Sequence, residues 1–182
     1  MHEFKLKIDE NYKLIDYDYK SKGNILESDI VLKNSFKTSF LEKPINKISI
    51  SKTNLGINLN KRNSNLLTLD GLYNIGGLVN KKFKLTHDLK KNPKYLIDLD
   101  LSENIFLKLI NFKTNFKNRS NIKSELNFKN NNIIFKNINF TEGKNSISIN
   151  GLKLNKKKEI ESISDINVLT FNNNKENNNF KI

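Results

Sequence analysis

The chain has no cysteine, alanine, glutamine or tryptophan, only two prolines and only seven glycines in 182 residues. Without cysteine there is neither a disulfide framework nor a thiolate metal site, and the redox compartment stays open. Without alanine, and with many β-branched residues and asparagines, helix is disfavoured almost everywhere. Among the 32 Lys and Arg residues, only Arg62 and Arg119 are arginine. A net charge of +13 and a pI near 9.7 invite a phosphate-binding reading. Proteins that read nucleic acid, however, cluster arginine forks, whereas lysine here is spread through every segment. The Lys, Asn and Ile excess is the bias of A- and T-rich codons, which places lysine at solvent positions. No nucleic-acid partner is therefore expected.

Long apolar runs are also missing. The most apolar stretch, Ile105 to Ile110, is short and interrupted by Lys108. Met1-His2-Glu3-Phe4 alternates from the outset and lacks the basic, apolar and cleavage regions of a signal peptide. The chain is thus expected to begin inside a strand pattern, as a piece of something longer. A hydrophobic content of 36 % and a mean hydropathy of −0.60 are low for a compact globule.

What is present is alternation with period two. Phe4, Leu6 and Ile8 share one face against Lys5, Lys7 and Asp9; Ile15, Tyr17 and Tyr19 oppose Asp16, Asp18 and Lys20. Gly23-Asn24 punctuates, and Leu26, Ser28, Ile30 and Leu32 follow. Residues 1–40 therefore read as a three-stranded β-meander, closed by Pro44. The rule continues through Ile48 and Ile50, Ile57 and Leu59, Leu67 and Leu69, Phe83 and Leu85, and Ile97, Leu99 and Leu101. It returns at Ile122 to Phe128, Ile138 and Phe140, Ile147 and Ile149, and Ile166 and Val168. One apolar and one polar face per strand is the signature of an antiparallel sheet wet on one side. A short helix from Ser102 through Ile110 is the less favoured alternative to strand and loop. The fold class expected is all-β: repeated, mostly antiparallel strands in a curved, elongated, open sheet with little or no helix.

A repeat stands out. Leu67-Thr68-Leu69-Asp70-Gly71-Leu72 matches Ile147-Ser148-Ile149-Asn150-Gly151-Leu152 in character at every position. Because the apolar pattern runs on past each glycine, Gly71 and Gly151 read as strand-interior glycines that bend the sheet at a bulge or close approach. Residues 45–182 are expected to be repeat units of one incomplete region, 1–182. The Asn run from Asn172 to Asn179 reads as a loop before a last strand, of which Phe180-Lys181-Ile182 remains.

Catalytic signals are poor. His87-Asp88 lacks a nucleophile elbow and a third partner. Asp16/Asp18 and Asp98/Asp100 place paired carboxylates on one strand face, where a cation site is possible but alternation alone accounts for them. Ile75-Gly76-Gly77-Leu78 lacks the lysine and spacing of a phosphate loop. Recurrent Phe-Lys pairs (Phe36-Lys37, Phe83-Lys84, Phe112-Lys113, Phe116-Lys117, Phe128-Lys129, Phe135-Lys136) interleave aromatic and basic residues, as single-strand-binding surfaces do. In a strand, though, neighbours point to opposite faces, so the rings and charges separate. The expectation is a non-enzymatic protein with no catalytic residue, metal or cofactor.

The order of elements from about Tyr95 onward resembles the AsmA-like bacterial envelope proteins, the group that includes TamB and YhdP. The likeness rests on Ile97-Asp98-Leu99-Asp100-Leu101-Ser102, then Asn111-Phe112-Lys113, then the strands around Leu126 and Ile138. The strand from Ile147 through Gly151 to Leu154 and the segment Ile166-Asn167-Val168 complete it. Asn118-Arg119-Ser120-Asn121 stands where the family has Gly- and Pro-rich turns. The resemblance implies a β-sheet groove carrying phospholipid between the inner and outer membranes, in the periplasm of a Gram-negative bacterium. Its partners would be acyl chains, the remainder of the same polypeptide and outer-membrane proteins, with any anchor outside this chain. The candidate lining is Ile48, Ile50, Ile57, Leu59, Leu67, Leu69, Ile97, Leu99, Leu101, Ile147 and Ile149. A passive β-repeat scaffold or adhesin-like module is the alternative, and a basic nucleic-acid-binding β-domain the second alternative.

Overall fold

The computed structural model describes all residues except 38–43, 62–64, 77–78, 90–92, 102–103, 116–117 and 173–174. The alternation becomes strand after strand: β1 (His2–Ile8), β2 (Leu14–Phe36), β3 (Ile45–Asn60), β4 (Leu66–Ile75), β5 (Lys81–Asp88) and β6 (Lys94–Asp100). After an excursion come β9 (Ser120–Lys129), β10 (Asn132–Glu142), β11 (Asn145–Leu154), β12 (Ile160–Ser162), β13 (Asp165–Asn172) and β14 (Lys175–Lys181). The excursion itself holds β7 (Phe106–Leu107), a 3-10 turn (Lys108–Ile110) and β8 (Phe112–Lys113). The protein is all-β.

Every strand of the main sheet pairs antiparallel with its successor, in the order β1-β2-β3-β4-β5-β6-β9-β10-β11-β13-β14, with β12 beside β11. The 12-stranded sheet is curved and open, not closed into a barrel. Local turn chemistry supports this order. Asn130 and Asn131 both adopt positive φ, 51° and 63°, the geometry of a tight two-residue hairpin that asparagine tolerates well.

Apart from the small β7–β8 pair, all the strands described belong to one sheet. Its accessible area is 12,939 Å², against about 9,100 Å² for a compact monomer of 21.2 kDa. That excess comes from faces and edges with nothing laid on them.

Two expectations are corrected. Gly23-Asn24 does not end a strand: β2 runs unbroken for 23 residues, with Gly23 facing Leu55 and Asn24 facing Asn54. Continuous pairing to β3 supplies backbone partners that a turn would forfeit, so residues 1–36 form two strands, not three. The Asn run is not all loop either, since β14 starts at Lys175 and pairs Asn178 with Thr170 and Asn179 with Leu169. The candidate N-cap Ser102, and Gly77, Phe116 and Lys117, lie outside the described residues.

Gly71 and Gly151 both sit within strands, β4 and β11, and each receives a hydroxyl-bearing residue from a neighbouring segment. At Gly71 the register of β3 slips, and the bulged Thr53 lies so close that an added Cβ would be 2.6 Å from its Cα. Gly151 has φ of +64°, and a Cβ there would collide with the Ser164 side chain. Both positions require the missing side chain.

Candidate functional site: one apolar face and its cover

Residues directly opposite in an antiparallel pair share a face, so the registers trace rows across the sheet. One row is Phe83–Leu99–Ile122–Phe140–Ile147–Val168–Phe180. A second is Leu55–Leu69–Leu85–Ile97–Ser124–Ile138–Ile149–Ile166. Its one polar member, Ser124, donates to the Asn137 carbonyl at 2.9 Å. A third is Ile57–Leu67–His87–Tyr95–Leu126–Phe135–Leu152, where His87 and Tyr95 stack at 4.0 Å. Across the β3 bulge the face continues through Ile50, opposite Tyr73, and Ile48, opposite Ile75.

The register therefore places ten of the eleven candidate lining residues on this one face. Leu59 joins through Tyr19. Leu101 packs against the cluster of Phe112, Phe140, Ile147 and Val168. Eleven strands at about 4.8 Å spacing make the face about 48 Å across.

The opposite face is a charge and amide ladder: Asp70–Lys84–Asp98–Lys123–Asn139–Ser148–Asn167–Lys181. The paired carboxylates noted above are engaged here. Asp98 pairs with Lys123 at 3.3 Å, Asp100 with Arg119 at 3.0 Å, and Asn121 donates to both. Asp18 pairs with Lys20 at 3.3 Å. Glu125, on β9, lies between Lys94 (2.9 Å) and Lys136 (3.5 Å). The hydrogen bond from Lys94 holds its carboxyl below the usual value, against a smaller opposing effect of desolvation. Hollows of about 380 and 490 Å³ on this side are lined by such residues, Lys84, Asp98, Lys123 and Glu125 among them. They are valleys between long polar side chains. The Phe-Lys pairs divide as their parity requires: Phe83 faces Leu99 while Lys84 faces Asp98.

Over part of the apolar face lies a flap, the excursion containing β7 and β8. Phe112, 4 % exposed, meets Phe140 edge-on with ring centres 5.7 Å apart, and Leu101, Leu107 and Ile110 surround the same cluster. A polar row on the sheet anchors this flap. Glu142, 1 % exposed, accepts from the Asn115 N–H at 2.6 Å, the Ser120 hydroxyl at 3.0 Å and Asn145 Nδ2 at 3.1 Å. Asn178 Nδ2 donates to the Ile110 carbonyl and to Thr170 Oγ1, both at 2.8 Å. Sequence reading missed this row. Its signal was there: Glu142 has the same strand parity as Ile138 and Phe140, a carboxylate in an apolar phase.

The charge is unevenly placed. The strands of the main sheet carry 17 Lys and 14 Asp or Glu, whereas the rest of the chain carries 15 Lys or Arg and 5 Asp or Glu. In an antiparallel meander those connections fall alternately at the two ends of the strands. The strands are thus nearly neutral, and most of the positive excess belongs to the segments outside them. No family model, curated protein or solved structure matches the chain.

Proposed function

We propose that this chain supplies an apolar β-sheet groove that holds phospholipid acyl chains and lets them pass along it, as in the AsmA-like envelope proteins it resembles. The observation that carries this reading is the continuous apolar face of β3–β6, which no second layer covers among the described residues. Burying one aliphatic side chain is worth about 1.5–3 kcal/mol, so such a face recruits a cover. Acyl chains are a suitable one. They need only non-directional contact, which the aliphatic rows of β3–β6 offer at successive positions. The lysine excess outside the strands would suit the phosphate headgroups of acyl chains laid on the face. In this reading the chain works in the envelope of a Gram-negative bacterium, binds no cofactor and catalyses no reaction.

The second reading, a passive β-repeat scaffold, has the flap in its favour, because Phe112 packs with Phe140, Ile147 and Val168 into a core of the chain's own side chains. Photo-crosslinking residues at Leu69 and Leu99, in the open part, separate the two. The conduit predicts phospholipid adducts at both positions in cells and few at Val168, beneath the flap. Adducts to protein alone at Leu69 and Leu99 would overturn it in favour of the scaffold.

A further inference from the structure

The hairpin of the flap is bonded to itself more than to the sheet. β7 and β8 pair Phe106 with Lys113 and Leu107 with Phe112, and at the turn the Asn111 N–H donates to the Lys108 carbonyl at 3.2 Å. Thr114, 5 % exposed, closes the other end. Its N–H donates to the Ile105 carbonyl at 3.0 Å, and its Oγ1 accepts from the Ile105 N–H at 2.8 Å and donates to Asn104 Oδ1 at 3.3 Å. The two strands form a small sheet of their own. Among the described residues no backbone-to-backbone hydrogen bond ties 104–115 to a strand of the main sheet.

The hydrogen bonds that do reach the sheet share a property. Glu142 accepts from the Asn115 N–H, and Asn178 Nδ2 donates to the Ile110 carbonyl. With the hairpin lifted away, Glu142 still holds the Ser120 hydroxyl and Asn145 Nδ2, and Asn178 still holds Thr170 Oγ1. The groups set free, the Asn115 N–H and the Ile110 carbonyl, leave with the hairpin, where water satisfies them. Stranding a buried polar group is the main cost of breaking such contacts, and on the sheet side that cost does not arise.

What else holds the hairpin is apolar contact: Leu107, Ile110 and Phe112 lie with Phe140, Ile147 and Val168. The sheet beneath them has the same chemistry as its uncovered part. Phe83–Leu99 of β5 and β6 runs on as Ile122–Phe140–Ile147–Val168, and Leu85–Ile97 runs on past Ser124 as Ile138–Ile149–Ile166. Such contact is non-directional and scales with the area covered, so an acyl chain laid on these residues replaces what the hairpin gives them.

We propose that hairpin 104–115 is a displaceable placeholder over a second acyl-binding stretch, lined by Ile122, Phe140, Ile147, Ile166 and Val168, and that it lifts off as one piece. This rests on the reading of the open face as a lipid groove, which it extends from β3–β6 as far as β13.

The chain has no cysteine, so Ile110→Cys with Asn178→Cys makes a single thiol pair across the contact, to be joined by a short reducible cross-linker. A photo-crosslinking residue is placed at Val168, or at Leu99 as the open reference. The full chain is then irradiated with vesicles of phosphatidylethanolamine and phosphatidylglycerol. With the linker closed, lipid adducts at Val168 should vanish, reduction should bring them back, and those at Leu99 should stay constant. Without a linker, Glu142→Gln weakens the acceptor of the Asn115 N–H and should raise Val168 adducts about fivefold. In lipid-free protein the Asn115 N–H, bonded to the sheet, should exchange about fivefold faster than the Thr114 N–H, bonded within the hairpin. Val168 adducts indifferent to the linker, or absent in Glu142→Gln while Leu99 is labelled, would overturn the placeholder and leave the groove reading standing. Equal exchange at Asn115 and Thr114 would also overturn it, since the hairpin would then unfold instead of lifting. Absence of lipid at Leu99 as well would remove the groove reading, and the placeholder with it.

Discussion

The strands β1–β6 and β9–β14 carry apolar faces of the same kind, but among the described residues only the second set has anything folded over it. Of the six buried hydrophobic residues among those described, Phe112, Leu126, Phe140, Ile147 and Val168 belong to the later half and Tyr73 to the earlier. In β1, Phe4, Leu6 and Ile8 are each more than half exposed. The difference comes from the segment between β6 and β9. An antiparallel meander needs only a few residues to turn, and the remainder here is spent on a flap with its own hydrophobic plug and its own polar anchor. The later half therefore closes over a core, and the earlier half is an apolar face with no layer over it among the described residues.

The largest expected effect contrasts the two halves directly. Phe140→Ala removes a buried ring under the flap and should cost about 3–5 kcal/mol. Phe83→Ala, in the same row but only half-buried, should cost about half as much. Urea unfolding midpoints measure both, and equal losses would erase the distinction between closed and open halves.

A smaller effect is expected at the anchor. Glu142→Ala leaves the Asn115 N–H, the Ser120 hydroxyl and the Asn145 amide without their acceptor, a loss of about 2–3 kcal/mol. It should loosen the flap first, raising amide exchange at Asn115 ahead of exchange in β4 and β5. Simultaneous acceleration everywhere would mean that the two halves unfold as one unit.

The smallest effect concerns the seam, where β9 joins the halves. The Glu125 carboxyl is held below the usual value by Lys94, so this contribution is present above pH 4.5 and lost as pH falls through its lowered pKa. Stability should therefore decline on acidification, and Glu125→Gln should flatten part of that decline. An unchanged slope in urea titrations at pH 6 and pH 3 would show that the Lys94–Glu125–Lys136 bridge contributes nothing to the joint.

Much of the fold was legible because alternation is a local property. Ile97, Leu99 and Leu101 announce one face without reference to any other strand, and the two Asp/Asn-Gly strands marked the places where β4 and β11 accept a neighbour's side chain. Gly23-Asn24 misled, since a turn dipeptide is harmless in a strand paired continuously to the next. Phe112 was hidden among similar Phe-Lys pairs, because nothing local distinguishes a ring that folds back over the sheet from one that merely faces it. Glu142 was visible as a break in parity, yet its donors come from residues 115, 120 and 145 and had to be brought together by the fold.

By itself the sequence determined that the chain would be strand, which residues would share a face, and that its charge would be lysine and positive. Those follow from period two and composition, which each segment carries alone. Only the tertiary structure decided that the apolar rows align across the sheet, that a flap covers one end of them, and that β2 stays paired to β3 straight through Gly23-Asn24. These depend on register and on one long connection, which arise from pairing between segments far apart in the chain.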